Sequence, residues 1–158
     1  KLLNNSERKA IIASVPTVFA KTLEPAYIDS MLQSEATANP LFLLVALEEL
    51  RVFAHMEQLA EKISSLPKPG EDVLTKLFFQ VLQRLEEDFG YELVRRTLSW
   101  IASARFGLSV TELDALIRSD ETRSDPGDLQ ALLRQLRYYV LHRGSLLNYF
   151  HNNFRQER

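Results

Sequence analysis

Cysteine is absent from the chain, so it cannot build a disulfide framework, a thiolate zinc site, an iron–sulfur cluster or a cysteine nucleophile. Glycine is scarce: Gly70, Gly90, Gly107, Gly127 and Gly144 stand far apart. A phosphate-cradling loop needs clustered glycines, so that successive backbone N–H groups converge on one anion. The chain therefore carries no P-loop and no dinucleotide fingerprint of its own. Neither sign of charge is in excess, with 19 Lys+Arg against 21 Asp+Glu and a net charge of -2. That balance excludes a strongly basic nucleic-acid binder and a polybasic membrane binder. Long apolar runs are missing too. The longest is Pro40-Leu41-Phe42-Leu43-Leu44-Val45-Ala46-Leu47, ended by Glu48 and Glu49. A bilayer span needs ~20 apolar residues, so this run reads as a buried core helix. With no signal peptide or span, the expected setting is the cytoplasm.

What is there is an ordinary soluble composition, 46% hydrophobic and 25% charged over 158 residues. That suits one domain or two small ones. The first residue is Lys1, and the opening reads as part of a longer chain. The hydrophobic spacing is helical almost throughout. Residues 6–20 begin with the charged turn Glu7-Arg8-Lys9 and carry a stripe of Ile11, Ile12, Val15 and Phe19. Pro16 inside it should kink or break the helix. Glu24-Pro25 restarts a helix with Ile28, Met31 and Leu32 on one face. Asn39-Pro40 is the clearest start signal of the first half, with asparagine as N-cap and proline in the first turn. The helix from there to about Phe53 should be central to the first subdomain. Residues 56–66 form another helix, with Leu59, Ala60 and Ile63 inward.

Pro67-Lys68-Pro69-Gly70 is the most obvious boundary. Beyond it, residues 71–89 are strongly periodic through Leu74, Leu77, Phe78, Val81, Leu85 and Phe89. A second helix from Tyr91 turns Val94, Leu98, Ile101 and Ala102 inward, and Gly107 closes it. Ser109-Val110-Thr111-Glu112 is a capping box opening a short helix with Leu113, Leu116 and Ile117. After a polar loop at 119–124, Asp125-Pro126 caps a helix with Leu129, Leu132, Leu133 and Leu136 on one face. The β signal is a hairpin, Tyr138 to His142 and Ser145 to Tyr149, around Arg143-Gly144. The fold class is therefore mainly α: a small helical bundle, residues 1–66, followed by a winged-helix-like subdomain, residues 71–158, with one β-hairpin.

Chemistry is thin. His55, His142 and His151 do not share a helix face, so no metal site is expected. No nucleophile-elbow spacing supports a catalytic triad, and no catalytic residue is assigned. Glu48 and Glu49 diverge by ~100° on a helix and read as surface charge at a helix end. Glu86-Glu87-Asp88 reads as a solvated face. A winged helix suggests DNA, but the candidate reading helix opens with Asp125, Gly127, Asp128 and Gln130, which repel phosphates. Arg134, Arg137 and Arg143 are too few cations to offset that.

Two stretches look familiar. Ala38-Asn39-Pro40-Leu41-Phe42-Leu43, followed by Leu47-Glu48-Glu49-Leu50-Arg51-Val52-Phe53, resembles the region downstream of the P-loop domain in STAND-class NTPases. The NACHT proteins of the nephrocystin and telomerase-associated type are the nearest pattern. The likeness continues upstream through Arg8, Ile11-Ile12 and Ala20-Lys21-Thr22-Leu23, and downstream to Tyr149-Phe150-His151-Asn152-Asn153-Phe154-Arg155. In the related nucleotide-binding adaptor domains, a Gly-Leu-Pro-Leu motif opens a helix and its proline packs on the nucleotide. Pro40 matches that proline, with Asn39 in place of the small residues before it. A Met-His-Asp motif ends the winged helix of that family, and its histidine touches the β-phosphate of ADP. Phe150-His151-Asn152 is similar, with Asn152 replacing the acid.

The resemblance implies a regulatory module that closes over ADP in an intact protein, where ATP or ADP with Mg binds an upstream P-loop domain of the same chain. Exchange for ATP would release it for protein partners or self-assembly. No nucleic acid and no membrane are implied as partners, and this stretch itself should not catalyse. A free-standing helical and winged-helix protein-interaction domain is the alternative.

Overall fold

The computed structural model describes residues 1–18, 23–52, 56–70, 72–119, 126–137 and 139–149. The chain divides into two compact units, residues 1–77 and 78–158. The division comes later than Pro67-Lys68-Pro69-Gly70 and falls within one helix, Val73–Phe89.

The first unit opens with α1 (Asn5–Val18). Asn4 and Glu7 cap it reciprocally: the Glu7 N–H donates to Asn4 Oδ1 at 2.9 Å, and the Asn4 N–H to Glu7 Oε2 at 2.8 Å. Pro16 does not break the helix, which runs on to Val18. A proline forfeits one bond to the carbonyl four residues back, and α1 tolerates that loss within its described length. Next comes α2 (Pro25–Gln33), with proline in its first turn and Met31 buried. A short 3-10 turn, Glu35–Ala38, leads into α3 (Pro40–Val52). α4 (Met56–Ser65) follows.

α3 packs against α1, the 3-10 turn and α4, which makes it the central helix of this unit, as its apolar run predicts. Phe42, Leu43, Val45, Ala46, Leu47 and Leu50 are all buried. Each of these side chains larger than alanine contributes about 1.5–3 kcal/mol by leaving water. α4 buries Leu59 and Ile63, but Ala60 is exposed, against expectation. Its neighbour Leu59 takes the inward position, and successive helical residues diverge by ~100°.

The second unit holds most of α5 (Val73–Phe89), then α6 (Tyr91–Ser103), β1 (Leu108–Ser109), α7 (Val110–Arg118), α8 (Pro126–Leu136), β2 (Val140–Arg143) and β3 (Leu146–Tyr149). The expected periodicity is realised: Phe78, Val81 and Leu85 of α5 are buried, as are Val94, Leu98 and Ile101 of α6. Leu113 and Ile117 of α7 and Leu129, Leu132 and Leu136 of α8 complete the helical side of the core. Phe78 meets Tyr139 edge to face, with centroids 6.4 Å apart.

The hairpin is present, but its turn lies one residue later than expected. Arg143 pairs with Leu146, so the turn residues are Gly144 and Ser145. Gly144 takes a φ of +61°, which suits glycine at the first central position of a tight hairpin turn. The sheet also has a third strand that the sequence did not announce. β1 pairs antiparallel with β3, giving the order β1-β3-β2. Gly107 does not close α6, which ends at Ser103. It serves β1 instead: its φ is +95°, and a Cβ there would lie 2.7 Å from the Leu147 carbonyl oxygen. Only glycine lets the chain come so close to β3. The capping box is formed as predicted. The Ser109 N–H donates to Glu112 Oε2 at 2.8 Å, and the Glu112 N–H to Ser109 Oγ at 3.2 Å.

Candidate functional site

Pro40 is exposed at the first position of α3. The sequence places it there for a local reason: Asn39 is a good cap and Pro40 has no N–H to lose. The Asn39 Oδ1 accepts from Leu41 N–H at 3.0 Å and Phe42 N–H at 3.3 Å. The Leu43 N–H donates to the Asn39 carbonyl at 2.9 Å. The first-turn donors are thus engaged, and none is left to hold a phosphate. What this helix start presents is the apolar face of a proline ring, suited to packing on a ligand rather than to binding an anion.

The segment leading to Pro40 is anchored by a residue the sequence reading treated as part of a charged turn. Lys9 is exposed, but Arg8 is only 8% exposed. Its Nη1 donates to Thr37 Oγ1 at 2.8 Å and to the Ser34 carbonyl at 3.1 Å, and its Nη2 bonds Asn5 Oδ1. Its buried Nε has no hydrogen-bond partner among the described residues. Thr37 is fully buried, and its hydroxyl lies 2.7 Å from the Ser34 carbonyl and 3.1 Å from that of Met31. No local signal marks this arrangement, because Arg8 and Thr37 meet only in the tertiary fold.

Glu48 and Glu49 correct the sequence reading most sharply. Neither is surface charge: they are 3% and 1% exposed. α3 is packed on several sides, so even its polar positions are covered. Glu48 is compensated by Arg51, whose Nε lies 2.9 Å from its carboxylate. The acidic run near the end of α5 does stand as expected, with Glu87 and Asp88 exposed and Asp88 paired to Arg84 at 3.0 Å.

Other expected features fall elsewhere. His151 and Asn152 lie outside the described residues, as do His55, Asp125 and Phe19. Among the described residues no group of three or more His, Asp or Glu could hold a metal ion. Among them, too, no helix is long and apolar enough to cross a membrane. On α8, Asp128 and Gln130 are exposed near the start and Arg134 near the end, and Arg137 is exposed just beyond it. That distribution puts acid where a base-reading helix needs cations.

Comparison with known proteins finds distant likenesses over most of the chain. A TPR repeat-containing protein of Dictyostelium discoideum is 24% identical over 151 residues, 94% of this chain and 9% of that protein. The telomerase protein component 1 of Mus musculus is 26% identical over 116 residues, 71% of this chain and 4% of that protein. The NACHT domain- and WD repeat-containing protein 1 of Homo sapiens is 31% identical over 127 residues, 79% of this chain and 8% of that protein. No family model matches the chain, and no solved structure does. The chain spans less than a tenth of the length of these relatives. Their names do not point to a catalytic fragment, and the likeness is to short segments of far longer proteins, one named for TPR repeats and one for a NACHT domain and WD repeats.

Proposed function

We propose that this chain is the helical and winged-helix regulatory module of a STAND-type nucleotide switch, working in the cytoplasm. In that role it closes over ADP bound to a P-loop domain of the same protein, and exchange for ATP releases it. Such a switch is a two-state rigid-body change, biased by contacts the ligand makes in one state only. The observation that carries the reading is the start of α3. Asn39-Pro40 opens a buried helix with its N–H groups engaged and its proline ring exposed. That is what an apolar nucleotide contact needs, and it leaves the phosphates and Mg to the P-loop domain. The likeness to a NACHT-bearing protein over 79% of the chain supports the setting. The order α6, β1, α7, α8, β2, β3, with the sheet arranged β1-β3-β2, supports a winged helix.

On this reading Pro40 packs on the nucleotide and His151 donates to its β-phosphate. The nearest test is the coding sequence upstream of Lys1. It should hold G-x-x-x-x-G-K-[ST] followed by an acidic strand end, and its absence would overturn the proposal. A second reading is a protein-interaction domain that acts without nucleotide. Phe79, Trp100 and Phe106 favour it, being 61%, 41% and 77% exposed in the second unit. That reading predicts partner binding indifferent to ADP and ATP.

A further inference from the structure

The 3-10 turn before α3 is packed against α1, α2 and α3, with Ala36 and Thr37 buried. At its two ends the Thr37 N–H donates to the Ser34 carbonyl at 3.2 Å and the Asn39 N–H to the Ala36 carbonyl at 3.0 Å. Such turns have poor hydrogen-bond geometry and persist in short pieces only when their surroundings fix them. Here part of the fixing comes from the start of the chain. The Leu3 N–H donates to the Ala38 carbonyl at 2.8 Å. Arg8 reaches from α1 and grips Ser34 and Thr37 with one nitrogen while the other holds Asn5. Thr37 relays the grip to the last turn of α2, through its contacts with the Ser34 and Met31 carbonyls.

We infer that Arg8 is a positioning residue: its guanidinium, relayed by Thr37, fixes where Asn39 and Pro40 are presented. The purpose assigned to it rests on the proposed nucleotide contact of Pro40, but its geometry does not. The energetics favour a positional role. Among the described residues the partners of this buried cation are neutral, and its Nε has none. A buried charge without a compensating charge is costly, and an apolar side chain of similar volume would often stabilise the unit as well or better. The planar fork, with donors in fixed directions, is what a lysine ammonium lacks. It joins α1, the end of α2 and the residue two before Asn39 at one point.

Amide hydrogen exchange on the 158-residue chain tests this. Thr37→Val keeps the shape of the relay and removes its oxygen; Thr37→Ser keeps the oxygen. The Asn39 and Leu43 amides should exchange about tenfold faster in Thr37→Val, while the Leu47 and Leu50 amides, deeper in α3, keep their rates. Thr37→Ser should restore the slow exchange, and Arg8→Lys should behave like Thr37→Val. If Arg8→Lys does not fold, the two Thr37 variants carry the test alone. Equal acceleration along all of α3, or none at Asn39 and Leu43, would reduce Arg8 to a contributor to stability and overturn the inference. In an intact protein with its P-loop domain, Thr37→Val should also release ADP faster. Faster local exchange with unchanged ADP release would keep the role of Arg8 and remove that of Pro40.

Discussion

A methyl group at position 107 would meet the Leu147 carbonyl at 2.7 Å, from a backbone that already takes a φ of +95°. Both faults act together in Gly107→Ala. The strain of a left-handed alanine and the shift forced on β3 should cost about 2–4 kcal/mol. Urea unfolding of the chain measures it, and a loss below ~0.5 kcal/mol would show that β1 does not depend on this approach. A milder dependence sits two residues on. The backbone N–H of Ser109, and then its hydroxyl, hold the Glu112 carboxyl below its ordinary pKa. A depressed carboxylate pKa adds stability that is present above the unfolded-state value and is lost as pH falls through the folded one. The cap on α7 should therefore weaken only at acid pH, below the usual carboxylate range. Glu112→Gln should flatten that part of the stability–pH curve, and an unchanged curve would remove the cap from the account.

At the scale of elements, α3 tests how local signals and packing combine. Asn39→Ala removes the acceptor for two first-turn N–H groups and should cost about 1 kcal/mol. Phe42→Ala, at a fully buried position, should cost about 3–5 kcal/mol. Thermal or urea unfolding ranks the two, and a cap worth as much as the core phenylalanine would contradict the assignment of α3 as a packed central helix. The start of α3 was legible because cap and proline act within a few residues. The same holds for the stripe of α5 and the Ser109–Glu112 box, whose patterns repeat or close within a turn or two. β1 was not legible: two residues carry no periodicity, and their strand character exists only because β3 lies alongside. Glu48, Glu49 and Arg8 misled for the same reason. Charged residues usually face water, and what covers or pairs these three comes from other helices or from the next turn. The place of Pro40 at the start of α3 could be read from sequence, whereas the bonds of Arg8 and Thr37 behind it could not.

At the scale of the whole molecule, two units share a chain, and their division lies inside α5. We propose the boundary at Pro67-Lys68-Pro69-Gly70 as the one that matters for folding, since all of α5 then travels with the second unit. A chain of residues 71–158 should fold alone and unfold in one cooperative step, followed by circular dichroism against urea; a chain that stays unfolded would move the boundary. The central claim, closure over ADP, is tested most directly at His151 in an intact protein with its P-loop domain. A charge-assisted hydrogen bond to phosphate contributes about 1.5–3 kcal/mol. Removing it from the closed state alone shifts the closed–open balance by about 10- to 150-fold. The measurement is the rate of ADP release from that protein with and without His151→Ala. The account predicts release faster by about that factor, with activity appearing in the absence of the signal; an unchanged release rate would contradict it.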